Sequence, residues 1–131
     1  MVTRWLVDGM NLIGSRPSGW WRDRGGAMRD LVAELERFVD ATGDEVTVVL
    51  DGRPGEDRPA PGGRRRGRLW VAFAPGGRDA ADDQIAERVS WLGDPSTVRV
   101  VTSDKGLVER IRDSGVGVVP VGRFRRLLDS T

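Results

Sequence analysis

Five aspartates carry the chemistry open to this sequence: Asp8, Asp51, Asp82, Asp83 and Asp104. Asp8 closes the apolar run Trp5-Leu6-Val7, Asp51 closes Val46 to Leu50, and Asp104 closely follows Val98 to Val101. Asp82 and Asp83 open the helical pattern that comes after Leu69 to Phe73. With those runs as strands of one parallel sheet, the acids fall at its carboxyl edge, where open α/β sheets bind their ligands. Carboxylates gathered there repel one another unless a cation or a shared proton compensates. Oxygen donors without histidine or cysteine favour Mg²⁺ or Mn²⁺, which keep waters and bind through a few carboxylates plus substrate phosphate. The chemistry that follows is phosphoryl transfer, because such a metal generates hydroxide from bound water, orients a phosphodiester and neutralises the leaving oxygen. A plainer reading stands beside it. Aspartate at a strand end before glycine is a common turn residue, Asp82 can cap a helix, and Ser103-Asp104-Lys105 before Leu107 reads as a helix start.

The elements that must position these acids are short. Trp5 to Val7, Val46 to Leu50, Leu69 to Phe73, Val98 to Val101 and Val116 to Val119 are valine-rich runs without polar alternation, as in parallel strands buried on both faces. Between them, Met28, Leu31, Val32, Leu35, Phe38 and Val39 keep helical spacing, as do Ile85, Val89 and Leu92, and then Leu107, Val108 and Ile111. This alternation predicts an α/β domain with about five strands in a mainly parallel sheet and right-handed crossovers. Two segments lack a period. The step from Leu50 to Leu69, Asp51 through Gly67, is a long Gly- and Pro-rich loop, of a length that is commonly functional or disordered, and Gly14 to Gly26 is a loop carrying Trp20 and Trp21. Trp5 and Trp70 lie inside strand patterns and are expected in the core, with Trp91 beside them.

At 131 residues the chain reads as a single domain over 1–131, with no repeat or linker. Lys+Arg number 21 and Asp+Glu 20, so the net charge of +1 excludes a generally basic nucleic-acid coat, and any charge signal must be local. The absence of cysteine and histidine excludes disulfides, thiolate or imidazole zinc sites and Ser/His or Cys/His nucleophiles. No apolar run is long enough to span a membrane and the first residues lack a signal-peptide layout, so the expected location is cytoplasmic.

Four motifs in order then carry a resemblance over nearly the whole chain: Leu6-Val7-Asp8-Gly9-Met10-Asn11-Leu12-Ile13-Gly14, Val48-Val49-Leu50-Asp51-Gly52, Asp79-Ala80-Ala81-Asp82-Asp83-Gln84-Ile85 and Val100-Val101-Thr102-Ser103-Asp104. The sequence resembles the YacP-like NYN domains, a branch of the PIN-like metal-dependent ribonucleases. The resemblance implies a PIN-like, three-layer Rossmannoid fold with helices on both faces of a sheet of order 3-2-1-4-5, and an acidic pocket for Mg²⁺ or Mn²⁺. It implies Asp8, Asp82 and Asp104 as the principal metal-binding and catalytic acids, with Asp83 and Asp51 in support. It also implies Asn11 steering a phosphate or an acid and Ser103 on a metal-linked water. Asn11 has an ordinary alternative as a turn former. Met10 stands where members often carry an aromatic.

From Gly52 to Arg78, the arginines 53, 58, 64, 65, 66, 68 and 78 face only Glu56 and Asp57. Arg53, Arg64, Arg65, Arg66, Arg68 and Arg78, with Lys105, Arg22 and Arg24, can hold a polyanionic backbone near the metal, and Trp20 and Trp21 can stack on unpaired bases. The partner expected is single-stranded RNA. Against this stand a solvated loop for the arginines and a hydrophobic flap for the tryptophans. Three functions compete. A metal-dependent endoribonuclease uses the acids, and a non-catalytic RNA-binding or adaptor module needs only the arginines. A phospho-receiver fits poorly, because Asp51 ends the second strand and not the third.

Overall fold

The computed structural model describes residues 2–55, 58–59, 62–63, 68–77 and 79–131. Strands β1 (Arg4–Asp8), β2 (Glu45–Asp51), β3 (Gly62–Gly63), β4 (Leu69–Ala74), β5 (Val98–Val101) and β6 (Gly117–Val119) form one sheet of order β3-β4-β2-β1-β5-β6. Five of them are parallel, in the expected 3-2-1-4-5 arrangement. The addition is β3, a two-residue antiparallel edge inside the segment expected to be loop. Its Gly-Gly sequence carries no apolar pattern to betray it. Helices α1 (Gly9–Ile13), α2 (Arg24–Thr42) and α5 (Val121–Asp129) share one face, and α3 (Ala80–Ser90) and α4 (Lys105–Ile111) the other. Among the described residues no helix is long and apolar enough to cross a membrane.

Alternation along the strands feeds two cores. Trp5, Val7, Val46, Val48, Leu50, Leu69 and Val71 pack under α2 and α5, while Leu6, Val49, Val98 and Val100 pack under α3 and α4. The first core centres on Trp5, Phe38 and Phe124, with ring centroids 4.9–6.1 Å apart. The buried Arg125 guanidinium donates to both carboxylate oxygens of Glu34, at 2.9 and 3.1 Å, and pins α5 to α2. α2 starts at Arg24, earlier than the expected loop end at Gly26, because the Asp23 carboxylate accepts the Gly26 N–H at 2.9 Å. It stops at Gly43, whose φ of 76° is the left-handed conformation that ends helices.

The tryptophan expectations divide. Trp5 is buried, but Trp70 is 40% exposed and Trp91 76% exposed, so neither belongs to the core. The cause is the length of α3. It ends at Ser90, which leaves the α3-side residue of β4 uncovered, while Trp91 comes two residues after the buried Val89, about 200° round from the buried stripe of the helix.

The close junction of β1 and α1 depends on a missing side chain. A Cβ on Gly9 would lie 2.6 Å from Leu50 Cδ2 and 2.8 Å from the Val49 carbonyl oxygen. Glycine to alanine inside an open helix stabilises by about 1 kcal/mol. Here the sign reverses: Gly9→Ala should destabilise by roughly 1–3 kcal/mol through overpacking against a strand that cannot yield. A fall in the urea midpoint with unchanged slope checks this.

Candidate active site

Asp8 is the last residue of β1 and is only 5% exposed. Val7 pairs with Val101 across the sheet, so the residues that follow, Asp8 and Thr102, are neighbours at the carboxyl edge. The Thr102 hydroxyl donates to Asp8 Oδ2 at 2.9 Å and accepts the Asp104 N–H at 3.1 Å. The Asn11 backbone also bonds the Asp8 carboxylate, while Asn11 Oδ1 accepts the Ser103 N–H at 2.7 Å. Asn11 thus links α1 to the β5–α4 turn by a side-chain bond across 92 positions of sequence, beyond what a local turn former does.

Burial pushes the Asp8 carboxyl up to about 6, against the opposing bonds from Thr102 and Asn11, and the charges of Asp82 and Asp104 push the same way. Asp82, in the first turn of α3, is also raised, first by burial, then by Asp104 and Asp79. Arg110 on α4 opposes this rise. The structure therefore draws Asp8, Asp82 and Asp104 into one electrostatic neighbourhood. Asp104 serves the fold as well, since its Oδ1 accepts the Leu107 N–H at 3.0 Å and caps α4. The helix-start reading of that residue is therefore borne out.

The other expected site residues are placed differently. Asp83 is bonded to Arg110 at 2.8 Å, and both side chains are well exposed. Asp51 pairs with Arg24 at 3.2 Å. Because Asp8 faces Val49 in the register, Asp51 stands two residues further along β2. The Ser103 hydroxyl accepts the Val121 N–H at 3.0 Å, satisfying the first turn of α5, where Pro120 offers no side-chain cap. Lys105 and Arg53 are exposed close after β5 and β2. Arg24 lies over the half-buried Trp20 ring at 5.3 Å, and Arg22 over the exposed Trp21 at 5.9 Å. Arg58 donates to the Asp51 carbonyl at 3.0 Å. Arg68 bonds the Gly43 carbonyl at the amino end of β4, the edge of the sheet away from the acids. Arg64, Arg65, Arg66 and Arg78 lie outside the described residues. Two contributors escaped the sequence reading. Thr102, which bridges Asp8 and Asp104, was signalled by a hydroxyl directly after a buried Val-Val run, whereas Arg110 had no signal beyond helical spacing.

Among the described residues, no three Asp or Glu side chains are gathered closely enough to cage a metal ion. The donors fit a hydrated hard cation held by one or two carboxylates, with waters reaching the rest, which is the ordinary habit of Mg²⁺. Burial first, and then mutual repulsion, raises the Asp8 and Asp82 carboxyls, and Arg110 opposes the rise at Asp82; a cation bound at these oxygens would offset the repulsion.

Residues 5–131 of the sequence match the family model of the YacP-like NYN domain. The chain belongs to the YacP-like NYN domain family. Rae1 (YacP) from Bacillus subtilis superposes on this NYN domain with a TM-score of 0.74 at 24% identity, over 99% of this chain and 75% of that one. A single-substitution mutant of the same protein gives 0.73 at 23% identity, over 98% and 76%. These likenesses show a shared fold. A UPF0178 protein from Rhodospirillum centenum is 47% identical over 55 residues, which is 42% of this chain and 32% of that relative. The match thus spans about a third of the relative's length.

Asp8 gives the NYN domain a pH-dependent stability of definite sign. Its folded carboxyl holds a proton up to about pH 6, whereas the ordinary value is 3.8. Between those values the native state binds more protons than the unfolded chain, so stability is greatest below the window and is lost as pH rises through about 6. Asp8→Asn should therefore stabilise the metal-free protein near pH 8 by on the order of 2 kcal/mol, and far less near pH 4. Thermal unfolding of both proteins in EDTA across that range reads the difference directly.

Proposed function

We propose that the chain is a metal-dependent endoribonuclease that hydrolyses phosphodiester bonds in single-stranded RNA. The observation that carries this reading is the buried Asp8, under-compensated beside Asp82 and Asp104 at the carboxyl edge of the sheet. A fold does not need such a group there, and its cost is offset when a cation arrives. Mg²⁺ or Mn²⁺ bound at these acids supplies Lewis-acid activation of water and charge neutralisation at the phosphate.

The chain's own residues divide the remaining work. Thr102 and the Asn11 backbone hold Asp8 in one orientation, so its carboxylate is fixed before substrate arrives. Asp82 and Asp104 are partly exposed and stand near enough for their charges to act on Asp8. Asn11 and Ser103 fix the turn that carries Asp104. Arg53, Lys105, Arg22 and Trp21 are the exposed cationic and aromatic groups on the segments that leave this edge, suited to phosphates and unpaired bases.

The reaction is hydrolysis with a water nucleophile. The P–O3′ bond breaks as the water oxygen bonds to phosphorus, leaving a 5′-phosphate and a 3′-hydroxyl. With no histidine to serve as base and acid, attack by the RNA's own 2′-hydroxyl is disfavoured.

End-labelled single-stranded RNA and matching DNA, incubated with the protein in Mn²⁺, Mg²⁺ or EDTA, test this. Cleavage should need metal, leave 5′-phosphate ends and fall roughly hundredfold or more in Asp8→Asn and Asp82→Asn. Products ending in 2′,3′-cyclic phosphate contradict the scheme. Absent cleavage in every metal, with salt-sensitive binding that survives Asp8→Asn, transfers the function to a non-catalytic RNA-binding module.

A further inference from the structure

The two tryptophans displaced from the core meet on one surface. Trp70 precedes Ala72 by two residues on β4 and so shares the sheet face that α3 covers. Trp91 follows the end of α3. Both line an open groove of about 610 Å³, with Thr47 in its floor and Leu92, Arg4 and Arg88 around it. This groove lies at the amino end of the strands, the opposite edge from Asp8, Asp82 and Asp104.

Two indoles at 40% and 76% exposure forfeit the burial that makes tryptophan worth having in a fold, and a smaller polar residue would end α3 as well. The cations beside them are guanidinium groups. Arg4 pairs with Glu45 at 3.5 Å across half-exposed side chains, a contact worth little and easily exchanged for a phosphate. Arg88 keeps its Nε on Gln84 at 3.1 Å, which steadies the side chain on the wall of the groove. Planar apolar faces between arginines match a polyanion carrying flat bases better than an apolar protein surface.

We propose that this groove is a second binding site for unpaired RNA bases, stacking on Trp70 and Trp91 with phosphates met by Arg4 and Arg88. The proposal rests on the reading of the chain as acting on RNA and adds a length requirement to it. Asp82 stands beside the acids in the first turn of α3 and Trp91 directly follows its last residue, and the nine residues between them rise about 14 Å along the helix. A strand that offers a phosphodiester to Asp8 therefore fills the groove with nucleotides several positions away. Duplex RNA, whose base faces are already stacked, is excluded.

Fluorescence anisotropy of a labelled oligouridylate in EDTA reads binding without cleavage. Trp91→Ala and Arg88→Ala should each weaken binding, Trp91→Ala by roughly fivefold or more. Arg37→Ala, a charge control outside the groove, should not reproduce the Trp91 effect. Trp91 is exposed enough for its variant to keep the wild-type melting temperature, and that temperature is measured alongside. Affinity unchanged in both groove variants overturns the proposal, whether or not the wild type cleaves RNA. Trp91-dependent binding by a protein that cleaves nothing supports the groove and sinks only the nuclease reading. A dimer seen by sedimentation that Trp91→Ala dissolves, with RNA affinity unchanged, assigns the surface to a second copy and also overturns it.

Discussion

The hydroxyl of Thr102 is the contact on which the acidic edge depends. It donates to the buried Asp8 and accepts the Asp104 N–H, so one side chain joins the end of β1 to the start of α4. The parallel register that sets Val7 against Val101 makes this bridge possible. Asn11 repeats the link through the Ser103 N–H, and Ser103 passes it to α5 through Val121. Three helices and two strands are thereby positioned by hydroxyl and amide groups at one end of the sheet. Apolar packing supplies the stability of the domain, but this polar network decides where its charges stand.

That network holds charge at a cost. Asp8 is buried where ionisation is unfavourable, and Asp82 and Asp104 make it more so. Placement of Asp82 in the first turn of α3 recovers a little, since a helix amino terminus favours negative charge. Elsewhere the chain pairs its acids routinely, as with Asp51 to Arg24 and Glu34 to Arg125. The contrast separates acids neutralised by an arginine from acids whose mutual repulsion is left standing. The opposite edge of the sheet carries a different anomaly, apolar surface left in water at Trp70 and Trp91. Local costs of these two kinds commonly mark functional surfaces.

Much of this was legible in the chain. Valine-rich runs announced five parallel strands, and the aspartates Asp8 and Asp104 announced the carboxyl edge at which the structure gathers acids. Helix α1 was not legible, because Asp8-Gly9 reads as a turn unless one knows that Gly9 packs on Leu50 and Val49. Helix α5 is legible in Pro120 followed by Val121, Phe124 and Leu128 at helical spacing, all three of them buried. Trp70 misled because a residue inside a strand pattern is buried only where something covers its face, and α3 stops short. The partners of Asp51 and Ser103 come from Arg24 and Val121, and no local pattern in the sequence encodes such distant pairings.

Asp8 is a buried carboxyl with a raised pKa, and we propose that a cation at this edge stabilises its ionised form. Titration of its side-chain carboxyl carbon by NMR, with and without Mg²⁺, addresses that claim without reference to any substrate. The account predicts a midpoint near 6 in the metal-free protein, moving down as Mg²⁺ is added. A midpoint near the ordinary 3.8, indifferent to the metal, would contradict it.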